Sequence, residues 1–137
     1  MTLKITLLSL FIALTMSANS QTKEKTPNTT AESVAIVNLQ LVAYNTRDIE
    51  KFLLTFSEDV EIYRNGTLAM TGREQMRAVY APMFENTPNL HCIIVNRITI
   101  NNKVIDNENV TSNDRIIEAV AMYEVADGLI QKVTFVN

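Results

Sequence analysis

The chain has 137 residues and a formal net charge of −3, with 12 Lys and Arg against 15 Asp and Glu. That length suits one domain, and 47% hydrophobic residues are ample for one buried core. The acidic balance argues against a nucleic-acid surface, which would carry a basic patch, and a single Cys with a single His supplies neither an internal disulfide nor a zinc ligand set.

Residues 1–20 read as a signal peptide. Lys4 gives a short positive start, residues 5–16 are an apolar run short of the roughly 20 that span a bilayer, and Ala18-Asn19-Ser20 places small residues where a signal peptidase reads. The expected product begins at Gln21, is periplasmic or secreted, and keeps no membrane anchor. Residues 21–31 are polar, carry Pro27 and read as a flexible leader, with the domain proper at 32–137.

Thr29-Thr30-Ala31-Glu32 has the form of a capping box. Val34, Val37, Leu41 and Tyr44 follow at helical spacing, and Ala35, Leu39 and Val42 broaden the stripe, which predicts a well-buried first helix. Asp48 can cap a second, shorter helix whose apolar face is Ile49, Phe52, Leu53 and Phe56. Val60-Glu61-Ile62-Tyr63 alternates as a strand, and Asn65-Gly66 turns the chain back. Thr71-Gly72-Arg73-Glu74 reads as a second capping box, followed by Met76, Val79, Tyr80 and Met83. Pro82 should kink or shorten that helix.

Residues 90–135 hold four segments rich in β-branched residues, separated at Asn101-Asn102, at a polar gap and at Asp127-Gly128. This predicts an antiparallel meander. Helices first and strands last give an α+β fold: a curved antiparallel sheet forming a cone, with three N-terminal helices on its concave face. On the strand from Leu90, Cys92, Ile94, Ile98 and Ile100 share one parity and are expected to face the core, with Cys92 a small buried hydrophobe. His91, Ile93, Val95 and Arg97 share the other.

This order of elements, together with residues 43–49 (Ala-Tyr-Asn-Thr-Arg-Asp-Ile), Phe56-Ser57-Glu58-Asp59-Val60, Thr71-Gly72-Arg73-Glu74, Pro88-Asn89-Leu90-His91, Asn96-Arg97-Ile98, Val104-Ile105-Asp106 and residues 123–130, resembles the nuclear transport factor 2-like superfamily. The nearest resemblance is to its secreted SnoaL-like and ketosteroid-isomerase-like members. It implies a pocket at the open end of the cone, a homodimer formed through the sheet, and cofactor-free chemistry. Ketosteroid isomerases of this fold use a Tyr, a neutral Asp and an Asp base. Aligned at Asp48 and Gly128, those places fall near Gln40, Val120 and Arg64, and none matches. Where secreted relatives carry Val-Ile-Asp-His-Glu, this chain has Asn107 in place of the His.

Asp106 and Glu108 lie two apart on a strand and therefore on one face. Facing a pocket, one of the pair would have a raised pKa suited to acid or base work. The alternative is a solvated face or a pairing with a neighbouring Arg. Arg97 is expected to pair with Glu118 or Glu108, or to bind a substrate carboxylate. Asp106 is the expected base, assisted by Glu108 or Tyr63. The expected pocket lining is Tyr44, Met70, Tyr80, Met83, Phe84 and Met122, an apolar and adaptable set.

Two functions follow. One is a pocket for a small, largely apolar molecule with isomerase, dehydratase or cyclase chemistry beside a carbonyl. The other is a non-catalytic ligand-binding or dimerisation domain. A cone filled by Phe and Met, with Asp106 in solvent, would favour the second. A cavity of roughly 300 Å3 or more with a buried carboxylate would favour the first.

Overall fold

Two hairpin turns follow directly from their dipeptides. Asn65-Gly66 and Asp127-Gly128 take φ values of 48° and 82°, and 52° and 74°, the paired positive dihedrals that a two-residue hairpin needs. Asn101 (φ 53°) and Asn113 (φ 55°) serve the other two turns, Asn being among the few non-glycine residues that enter this region readily.

The computed structural model describes residues 23–137. The expected signal peptide therefore lies outside the described residues. The elements are α1 (Thr30–Thr46), α2 (Ile49–Leu54), β1 (Phe56–Arg64), β2 (Thr67–Thr71), α3 (Gly72–Asn86), β3 (His91–Ile100), β4 (Lys103–Ser112), β5 (Arg115–Ala126) and β6 (Leu129–Val136). One six-stranded sheet runs in the order β2-β1-β6-β5-β4-β3. Strands β3 to β6 form the expected antiparallel meander, and β1 joins it parallel to β6. The three helices cover one face of this curved sheet, the expected α+β cone.

The first helix starts as its sequence predicts. The Thr29 hydroxyl accepts from the Glu32 N–H, and the Glu32 carboxylate accepts from the Thr29 N–H. Its burial is narrower than the apolar stripe suggests. Ser33, Val37, Gln40 and Ala43 face the sheet, whereas Leu39 and Val42 are each 60% exposed. A helix in a single layer meets protein on one side only. Here the buried side tolerates Ser33 because its hydroxyl donates to the Thr29 carbonyl. At the C-terminal end Arg47 takes a left-handed cap (φ 56°), and the Asn45 side chain exchanges two hydrogen bonds with the Cys92 backbone, at 2.9 and 2.7 Å. These bonds pin the end of α1, and Tyr44 with it, to β3.

Asp48 caps α2 as expected, accepting from the Lys51 N–H at 3.0 Å. The second capping box does not form. Thr71 makes no side-chain cap bond, and its N–H instead donates to Gln75 Oε1 at 2.8 Å. Gly72 sits at φ 80°, where an added Cβ would lie 3.0 Å from the Glu58 carbonyl. This backbone twist takes the chain away from capping-box geometry. Pro82 does not end α3, which continues to Asn86.

Residues 25–28, expected as part of a flexible leader, lie along the β5–β6 turn. The Thr26 N–H donates to Asp127 Oδ1, Pro27 bridges Ala126, and Asn28 Oδ1 accepts from the Gly128 N–H.

The main departure is in β3. Ile94 pairs with Glu108, but Asn96 pairs with Asn107, so Val95 is an extra residue and the strand bulges. Asn96 Oδ1 accepts from the Arg97 N–H at 3.0 Å and steadies the bulge. Past it, every side chain changes face. Cys92 is buried as expected, but Arg97, paired with Asp106, now points inward, while Ile98 and Ile100 point outward and are 59% and 57% exposed. The single parity expected along the whole strand is thus broken at its centre.

Candidate functional site

The core packs around aromatic rings. Phe52 lies within 4.9–5.3 Å of the ring centroids of Phe56, Tyr80 and Phe84, mostly edge-on, and Tyr44 meets Phe84 at 5.5 Å. Such pairs contribute about 0.5–1.5 kcal/mol each beyond their burial. The cluster fills the closed part of the cone and leaves a cavity of about 200 Å3 between the helices and the inner face of the sheet.

Its walls come from alternate residues of the strands: Ile62 and Arg64 from β1, Glu108 and Val110 from β4, Ile117, Ala119 and Tyr123 from β5, and Val133 and Phe135 from β6. The helices add Gln40, Tyr44, Met76, Tyr80 and Met83. Glu108 and Tyr123 are among the most buried of these. Arg64, Val79 and Ile117 are exposed and mark the mouth.

The two carboxylates of β4 share the inner face, as their spacing requires, but their surroundings differ. Asp106 is 1% exposed and held by Arg97, with Nε to Oδ1 at 2.6 Å and Nη2 to Oδ2 at 2.7 Å. Arg97 also donates to Asn38 Oδ1 on α1 at 2.6 Å. Asp106 does not line the cavity. The bulge at Val95 creates this pair, because an unbulged strand would turn Arg97 outward. The partner of Arg97 is thus Asp106, not Glu118 or Glu108.

Glu108 does line the cavity, and among the described residues no cation forms a salt bridge with it. The Tyr123 hydroxyl donates to its Oε1 at 2.8 Å. Burial pushes its pKa up from 4.5 to about 7. The Tyr123 hydrogen bond pulls the other way, the negative Asp106 adds to the rise, and Arg97 offsets part of it. A carboxyl group with that value is present in both protonation states at neutral pH, as a proton-transfer group must be.

The chain has four tyrosines. Burial raises the Tyr44, Tyr80 and Tyr123 phenols, so all three remain hydrogen-bond donors at neutral pH. Tyr63 lies on the outer face of the sheet. Its hydroxyl donates to Glu61 at 3.0 Å and Lys132 sits 4.8 Å over its ring, so it cannot assist in the cavity.

Of the expected lining, Tyr44, Tyr80 and Met83 are in place. Met70 and Phe84 are buried in the core without lining the cavity, and Met122 lies on the outer face opposite Ile105. Cys92 lines the cavity, and burial, then Glu108 and Asp106, push its thiol up to about 12, which makes it a neutral wall. His91 is exposed at the start of β3. Asn107 pairs with Val120 on the outer face and does not meet the cavity. Val120 also faces out. Its inner neighbour Ala119 lines the cavity and cannot donate, so the isomerase triad stays unmatched.

Sequence reasoning passed over Arg64 as a lining residue. The signal was present: Arg64 shares the parity of the buried Ile62. Among the described residues no group of three or more His, Cys, Asp or Glu is placed to hold a metal, and no helix is long and apolar enough to cross a membrane.

Residues 39–133 match the sequence profile of the SnoaL-like domain. No curated protein matches the chain significantly. Several solved structures share its fold. An uncharacterised cystatin-fold protein from Novosphingobium aromaticivorans is 21% identical, with a TM-score of 0.70 over 77% of this chain and 97% of its own. A SnoaL-like protein of unknown function from Burkholderia thailandensis is 17% identical, with a TM-score of 0.67 over 80% of this chain and 96% of its own. A nuclear transport factor 2-like protein of unknown function from Cytophaga hutchinsonii is 16% identical, with a TM-score of 0.66 over 75% and 87%. At these identities the likeness is one of fold.

Proposed function

The chain belongs to the SnoaL-like domain family, and from that premise we propose that it binds a small, largely apolar molecule in the cone and moves a proton on it, beside a carbonyl, with Glu108 as the acid or base. Glu108 takes the role first expected of Asp106. Both oxygens of Asp106 are taken by the Arg97 guanidinium and Asp106 does not line the cavity, whereas Glu108 lines it and forms no salt bridge among the described residues. The observation that carries the reading is this buried carboxyl in an apolar cavity, with its pKa near 7. Tyr123 orients it through Oε1. Tyr44, which also lines the cavity, supplies a protonated phenol that can stabilise a developing enolate oxygen.

The test is proton exchange in D2O. Small aryl ketones are incubated with the protein, and loss of the α-proton signal is followed by NMR. The reading expects exchange catalysed by the wild type and abolished in Glu108→Gln. Absence of exchange across the ketones would move the assignment to a non-catalytic binding domain. The unmatched isomerase triad and a cavity of about 200 Å3, below the common ligand-pocket range of roughly 300–1,000 Å3, favour that second reading.

We also propose a homodimer formed through the outer face of the sheet. The cross-strand row Ile98, Ile105 and Met122, flanked by Val120 and Val136, is apolar and supports this. Ile98→Asp should then give a monomer in sedimentation at micromolar concentration. A wild-type monomer there counts against the dimer. The N-terminal pattern supports a periplasmic or secreted location, which intact-mass measurement of the exported protein tests through cleavage before Gln21.

A further inference from the structure

Arg64 is the residue that the proton-transfer reading leaves unused. It closes β1, on the inner face with Ile62. Its guanidinium lies 4.9 Å from the centroid of the Phe135 ring, which holds the cation in place at the mouth. Most arginines of the chain bond a protein acceptor. Arg47 donates to the Leu90 carbonyl, Arg73 to the Phe56 carbonyl, Arg77 to Glu50 and Arg97 to Asp106. Among the described residues, Arg64 and the turn residue Arg115 meet no carboxylate or carbonyl; Arg64 lies beside the Tyr80 hydroxyl, whose pKa it lowers against the effect of burial, and only Arg64 lines the cavity.

Among the described residues no Asp or Glu forms a salt bridge with Arg64. The side-chain carboxylate that lines the cavity is Glu108, and the charges acting on Glu108 are those of Asp106 and Arg97. Tyr44 and Tyr80 both line the cavity, and the charges of Arg64 and Glu108 act on both phenols with opposite sign. The walls along the way are apolar: Phe56, Val133, Met76 and Ile62.

We infer that the ligand is a small apolar carboxylic acid, bound as its anion, with the carboxylate gripped by the Arg64 guanidinium at the mouth and the apolar body running past Tyr44 and Tyr80 toward Glu108. A guanidinium matches a carboxylate with two parallel hydrogen bonds, and one such cation balances one negative charge. A phosphate monoester, at about −1.5 to −2, would leave charge uncompensated. The size is bounded as well. An apolar cavity of about 150 Å3 encloses benzene, so the 200 Å3 here takes one ring with a short side chain. A fused four-ring skeleton would not be enclosed. The inference rests on the proton-transfer reading for the role of the inner end, but not for the recognition of the outer one.

The test is calorimetric titration of the full chain with phenylacetate, its neutral isostere phenylacetamide, and phenyl phosphate, against wild type, Arg64→Gln and Arg64→Lys. Phenylacetate should bind the wild type about tenfold or more tightly than the amide, as a charge-assisted pair implies. Arg64→Gln should bring the acid down to the amide without changing the amide. Arg64→Lys should keep part of the preference, since the charge remains and the fork is lost. Equal affinity for acid and amide, a parallel loss of both in Arg64→Gln, tighter binding of phenyl phosphate, or no binding of phenylacetate would each overturn the inference. Titration of Glu108 by NMR in the same samples separates the two ideas. A value near 7 with no acid preference sinks the ligand assignment alone. A value near 4.5 with the preference intact sinks the proton-transfer reading alone.

Discussion

Two ends of one strand face carry the same functional group and put it to different uses. At Asp106 the inner face of β4 is closed: α1 lies over it, Arg97 supplies both charge and hydrogen bonds, and Asn38 completes the set. Two residues on, at Glu108, the same face opens into a cavity, the partner is a neutral phenol, and the carboxyl holds its proton to about neutral pH. A buried carboxylate thus becomes structural or reactive according to whether a cation is within reach. The near-neutral Asp106–Arg97 pair also limits how far Asp106 acts on Glu108, which leaves burial as the main cause of the raised pKa.

The largest effect should come from breaking the closed end. Asp106→Asn strands Arg97, 20% exposed, beneath α1. Removing one partner of such a pair typically costs about 3–5 kcal/mol. Urea unfolding should show a loss of this order. Unchanged stability with lost turnover would return Asp106 to the role of base.

Next comes the open end. Glu108 is held at about 7 when folded against an ordinary value of 4.5. The folded state therefore binds the proton more tightly. Its contribution is fully present below about pH 4.5, is lost as pH rises through 7, and is constant above that. Glu108→Gln, which keeps an acceptor for Tyr123, should remove this decline. It should stabilise the protein at pH 8 by on the order of 3 kcal/mol, since each pH unit between the folded and unfolded values is worth about 1.36 kcal/mol. Identical pH–stability curves for the two proteins would contradict the assignment.

A smaller effect is expected at the link between Glu108 and β5. Tyr123→Phe removes a donor to the carboxylate, so the Glu108 pKa should rise further, with a loss of about 1.5 kcal/mol above pH 7. The smallest belongs to Asn107, between the two carboxylates but on the opposite face. Asn107→Ala should stay within about 0.5 kcal/mol of wild type and leave the Glu108 titration unmoved, which a shared-face arrangement would not allow.

Much of the cone was legible in the sequence because its signals are local. The turn dipeptides at Asn65-Gly66 and Asp127-Gly128 and the cap at Thr29 each act over a few residues, and each formed as read. The two-residue spacing of Asp106 and Glu108 puts them on one face, and the fold makes it the inner one. What the spacing cannot carry is the identity of their neighbours. The bulge at Val95 has no Gly or Pro to announce it, and it alone brings Arg97 to Asp106 and turns Ile98 and Ile100 outward. Tyr63 and Met122 were placed in the pocket by residue type, although each lies on the strand parity opposite to its buried neighbours Ile62 and Tyr123. Leu39 and Val42 show the converse on α1: apolar residues on a helix whose outer side has no second layer to meet.

The central claim is that one glutamate in this protein is poised at neutral pH by burial in the cone. It is tested most directly by NMR titration of the side-chain carboxyl carbons in protein labelled at glutamate. The account predicts one resonance with a midpoint near 7, absent in Glu108→Gln. If the resonance that disappears in Glu108→Gln titrates near 4.5 in the wild type, the account is contradicted.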